Sequence, residues 1–187
     1  MNALSTAAAL TVLAATTVAS AAQTDAASCQ LRREAMKDVA TSTAFAATAA
    51  QDGMVEVALA GLVLRKSGDN QLRQLAQRMV RDYAQSNGGL SSIVQCEGLV
   101  LPVELDAKHN ALIGKLNSKS GRGFEKAYLK HIAQKHSESR ALFESVSMSG
   151  DSELAAFAQR GLSMLQEHQL LADNLRGAVG PKVANAR

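Results

Sequence analysis

Apolar residues return every third or fourth position through most of the chain, and no run alternates apolar with polar side chains over a strand's length. This pattern predicts four long helices and one short one, with no sheet. The first long helix spans Val39 to Lys66 and stops at "SGDN"; the second, "NQLRQLAQRMVRDYAQSNGGLSSIVQCEG", closes at Gly98. After "LVLP", with its boundary at Pro102, "VELDAKHNALIGKLN" reads as the short helix, broken by "SKSGRG". The last two long helices run from Phe124 to Met148 and from Ser152 to about Arg176, with "SGDSE" as the turn between them. Helical spacing assigns the inward faces: Phe45, Ala49, Glu56, Ala60 and Val63 on the first long helix; Leu72, Ala76, Met79, Tyr83, Leu90 and Val94 on the second. The third turns Phe124, Tyr128, Ile132, Ser139, Leu142 and Val146 inward, and the fourth Leu154, Gly161, Leu165, His168 and Ala172.

Four long helices of similar length define an all-α four-helix bundle over residues 39–177, preceded by an extension at 22–38 with some helical character and followed by a short tail at 178–187. Two of the connections are tight, so those pairs form antiparallel hairpins. The remaining one carries the short helix, roughly 20 Å of it, enough to return the chain along the bundle. That return gives the ferritin-like arrangement with one long crossover; an up-down-up-down bundle with an extra side helix is the alternative. Composition agrees, with two prolines, no tryptophan and abundant Ala, Leu, Gln, Lys and Glu.

The first 21 residues change the compartment. "MNALSTAAALTVLAATTVASA" is uncharged, alanine-rich in its middle, and ends in Ala19-Ser20-Ala21, the A-x-A pattern of a secretory signal peptide, although its start lacks the usual Lys or Arg. The expectation is a periplasmic or secreted protein. Two cysteines in an oxidising compartment point to a Cys29–Cys96 disulfide, for the second helix returns to the level where the first begins; two free thiols are the alternative.

Candidate chemistry centres on the inward polar residues. His131 and His136 lie about 140° apart around their helix, so they do not clasp one ion as an i, i+4 pair would. Counting depth at about 1.5 Å per residue brings Glu56, Tyr83, His136 and His168 to one level, one from each long helix, and leaves His131 higher as an outsider. Lys135 points nearer the interior than either neighbouring histidine, and His109 on the short helix reads as exposed.

"FAATAAQDGMVEVALAGLVLRKSGDNQLRQLAQRMVRDYAQSN", "LPVELDAKHNALIGKL", "FEKAYLKHIAQKHSESRALFE" and "LAAFAQRGLSMLQEHQLLADNL" resemble the family of domain of unknown function 4142 across about residues 44–176. The resemblance implies an exported bacterial ferritin-like bundle of unestablished activity, with an envelope or oxidative-stress role. Glu56, His136 and His168 fit the family's pattern. Where the family usually has Asp-His, however, this chain has Asp82-Tyr83, and where it often has a second Asp-His, this chain has Lys135-His136.

Two readings of the centre follow. In one, Glu56, His136 and His168, with Tyr83 nearby, hold a single zinc, iron or copper ion. A di-iron centre is disfavoured because no Glu-x-x-His occurs, Ala133 and Leu165 standing three before the two histidines. In the other, Glu56, Tyr83, Lys135, His136 and His168 form a buried hydrogen-bonded network with no catalysis, Lys135 neutralising Glu56. The second is favoured, since Lys135 opposes a cation and no nucleophile triad or phosphate loop is present. Arg122, Lys126 and Lys130 form a basic ladder suited to weak contact with anionic envelope lipid or another polyanion, with a plain solvated stripe as the simpler reading. Nucleic acid is excluded as a partner by the scarcity of aromatic residues.

Overall fold

Periodic apolar side chains become helices here because each buried stripe finds a partner stripe. The structure is a computed structural model describing residues 26–31, 39–150 and 152–179. These comprise α1 (residues 26–31), α2 (Val39–Lys66), α3 (Asn70–Glu97), α4 (Ala107–Asn117), α5 (Gly121–Ser147) and α6 (Ser152–Val179), with no strand among the described residues. The expected signal segment at 1–21, most of the 22–38 extension, and residues 180–187 of the expected tail lie outside them. Residues 178 and 179, assigned to the tail, continue α6.

Local chemistry sets the boundaries. Asp69 caps α3, its carboxylate accepting from the backbone N–H of Gln71 and Leu72 at 2.8 and 3.0 Å. At the other end Gly98 adopts φ 74°, and bonds from Gly98 N to Gln95 O and Leu99 N to Val94 O close the helix. Asp106 caps α4 through His109 N at 2.8 Å, so the short helix starts four residues later than Val103. Gly121, at φ 50°, lets the chain turn into α5 one turn before Phe124.

Cross-helix contacts give the directions. Between α2 and α5, Phe45 meets Phe143, Asp52 meets Lys135 and Glu56 meets His131, and Ser67, just past α2, meets Glu125, so the pair is antiparallel. On α3 and α6, Arg78 meets Glu167 and Asp82 meets His168. With α2–α3 and α5–α6 as hairpins, α3 and α5 therefore run the same way, and the segment between them travels the length of the bundle. It starts beside Phe45's cluster at Leu99 and Leu101, exchanges bonds with Gln51 through Glu104 and Asp106, and ends where Lys66 reaches Asn117.

Every residue assigned to an inward face is buried except Leu142, which is half-buried. The apolar interior has two parts. One gathers Leu59, Met79, Phe124, Tyr128 and Leu175 near the α2–α3 turn; the other gathers Phe45, Leu90, Phe143, Phe157 and Leu165 toward the opposite end. Gly161 allows the Phe143 ring to lie against α6, where a Cβ would come within 2.2 Å of the ring. Helix α2 is long and apolar enough to cross a membrane by length and composition alone, but its apolar stripe is spent on this interior. Cys29 and Cys96 form a disulfide with Cα atoms 4.9 Å apart, tying α1 to the end of α3.

Candidate functional site: a polar layer between two apolar clusters

The inward polar residues fall between the two apolar clusters, one layer contributed by all four long helices. Glu56, His136 and His168 are all but inaccessible, at 1, 0 and 0 % exposure, and Asp52, Tyr83 and Ser139 are buried with them. Tyr83 Oη and His136 Nε2 share a hydrogen bond at 3.1 Å. The rings of Tyr83, His136 and His168 lie together, with centroids 5.7–6.5 Å apart. His168 Nε2 bonds the Asp82 carboxylate at 2.8 Å, and Arg78 holds that carboxylate from outside at 3.3 Å.

Glu56 departs from the expected arrangement. Its Oε1 pairs with His131 Nε2 at 3.1 Å, so His131 joins the layer instead of standing above it. Counting rise from the loops fails here because side-chain packing, not loop length, sets the register of α2 on α5. Lys135 does not neutralise Glu56; its ammonium lies 2.9 Å from Asp52, one turn earlier on α2. Ser139 is 3.5 Å from the other Asp52 oxygen, and His109, expected to be exposed, is half-buried between Asp106 at 2.9 Å and Asp52 at 4.0 Å. Asp52 is thus the residue the sequence reading did not name, and Asp82 entered it only as the neighbour of Tyr83. Asp52 sits one helical turn before Glu56, which was the available signal.

Burial dominates the electrostatics. It drives the His136 imidazole down to about 3, helped by repulsion from His168 and His131. His168 is also lowered by burial, with Asp82 pulling the other way. Burial, then the Glu56 and Asp52 carboxylates, pushes the Tyr83 phenol well above its usual value. At neutral pH the cluster therefore holds two neutral imidazoles and a protonated phenol.

Two flanks approach the layer. A 420 Å³ groove between α3 and α6, lined by Arg78, Asp82, Arg160 and Glu167, ends on the carboxylate that holds His168. A 320 Å³ cleft beside α4 and α5 reaches Asp52, His109, His131 and Lys135. Inside, a cavity of about 10 Å³ among Asp52, Glu56, Tyr83, Ser86, Lys135 and Ser139 has the size of one water.

For a metal, the donor chemistry and the geometry disagree. Glu56 Oε2, His136 Nδ1 and His168 Nδ1 are buried atoms without a hydrogen-bond partner, and they are the donor types a transition metal takes. Yet among the described residues no three His, Cys, Asp or Glu side chains are placed to hold one ion. Arg122, Lys126 and Lys130, the basic ladder, are exposed on α5.

Fold and site together define an all-helical bundle protein with a polar layer inside it. The chain belongs to the family described as domain of unknown function (DUF4142), whose model matches residues 26–175. No curated protein and no solved structure matches it.

Proposed function

We propose that this protein is an exported, ferritin-like four-helix bundle of the bacterial envelope, in which the polar layer fixes how the helices align and performs no reaction. The observation that carries this reading is the pairing. Glu56 with His131, His136 with Tyr83 and His168 with Asp82 are three separate cross-helix bonds, each using one end of a side chain no water reaches. A slip of one turn between helices would strand these groups, at a cost of roughly 1–3 kcal/mol for each one left unpaired. Buried polar groups used this way select one packing among several apolar alternatives. Export is supported by the pattern of residues 1–21 and by a disulfide, which suits an oxidising compartment. An envelope or oxidative-stress setting follows from the family resemblance.

The second reading is a mononuclear zinc, iron or copper site. It is favoured by one observation, the free Glu56 Oε2, His136 Nδ1 and His168 Nδ1 atoms, whose parent side chains are each steadied by an outer partner as metal ligands are. Side-chain rotation is required before they meet. Metal analysis of untagged protein decides between the two. The structural reading expects substoichiometric metal that dialysis removes; one tightly held ion per chain, lost in Glu56→Gln, refutes it and establishes the second.

A further inference from the structure

We infer that the end of the bundle where α2 and α4 finish and α5 begins docks electrostatically on an anionic phospholipid surface. Side-chain contacts bring the three elements together: Lys66 reaches the Asn117 carbonyl and lies 5.2 Å from the Phe124 ring centroid, and the Ser67 hydroxyl donates to Glu125 at 2.6 Å. Charge is segregated at this end. Residues 115–130 hold five cations against one acid, a net of +4, whereas the whole chain nets +3, so the remainder carries −1.

The cations there are unspent. Arg65, Lys115, Lys119, Arg122, Lys126 and Lys130 are exposed, and among the described residues none has an ion-pair partner. The acids of this end have partners, Glu125 in the Ser67 hydroxyl, Asp69 in the first turn of α3 and Asp173 in Arg176 and Gln169. Arg122, Lys126 and Lys130 alone span about 12 Å along one side of α5.

Chemistry narrows the partner. All four phenylalanines and both tyrosines are buried, so the surface offers no ring on which a nucleic-acid base can stack. The cations come from three elements around one end of the bundle, a distribution suited to a sheet of phosphates more than to a single threaded chain. Among the described residues the exposed large apolar side chains are Leu31, Val100, Val103, Met148 and Leu170, none of them on the stretch 115–130 that carries the cations, so the attachment is electrostatic.

Co-sedimentation of the full chain with phosphatidylglycerol-containing vesicles tests this. Binding is expected at about 0.05 M salt and is lost near 0.5 M, as screening requires. Replacing Arg122, Lys126 and Lys130 by Gln weakens it about 100-fold, from roughly five-fold per cation. Arg140→Gln, which removes a cation already paired with Glu144, leaves it unchanged. The melting temperature of each variant checks that the bundle is intact. No binding, equal binding to purely zwitterionic vesicles, or an unaffected triple variant overturns the inference. Capture by soluble polyphosphate without vesicle binding overturns the membrane assignment in favour of a free polyanion.

Discussion

Lowering the pH from 7.5 to 5 attacks the polar layer at His136. The imidazole is fully buried and titrates at about 3 in the folded protein, against 6.5 when unfolded. Between those values the unfolded chain binds a proton that the folded chain refuses, so stability falls as pH drops through this window and is regained above 6.5. At pH 5 the loss from this residue is about 2 kcal/mol. That figure depends almost wholly on the unfolded value, because pH 5 lies well above the folded one. His168, also lowered by burial, adds in the same direction. The assay is urea unfolding of the wild type and His136→Gln at both pH values, Gln keeping a polar atom for the Tyr83 hydroxyl. Acid destabilisation shared with the carboxylates remains in both proteins, and the difference of differences isolates His136. Equal pH dependence in the two proteins refutes a buried, neutral imidazole at this position.

Reducing the disulfide, or Cys96→Ser, removes a link spanning 67 residues of sequence. The closed loop is worth about 4 kcal/mol on the chain-entropy account, read as a lower urea midpoint in the reduced protein; an unchanged midpoint contradicts it. Gly161→Ala drives a methyl into the Phe143 ring, 2.2 Å from its nearest atom, and is expected to destabilise by about 1–3 kcal/mol despite the better helix propensity of alanine. Thermal melts give the sign, and a stabilised variant means that the ring moves aside freely.

The helices, their inward faces and the family were legible in the sequence because they rest on near-neighbour physics. A Gly, a Pro or a capping Asp acts within one turn, and a spacing of three to four residues marks one side of a helix wherever that helix packs. Hence Phe45, Met79, Ile132 and Leu165 could be placed inside without coordinates, as could His168 and Glu56. Only the tertiary structure decided whom those polar groups meet. Glu56 takes His131 and Lys135 takes Asp52, both turning on a shift of about one helical turn between α2 and α5, and His168 takes Asp82, the residue next to Tyr83. Such a shift leaves every apolar stripe buried and therefore leaves no trace in the periodicity. It is held by contacts such as Phe45 against Phe143 across α2 and α5, between residues on different helices that spacing along one chain does not encode.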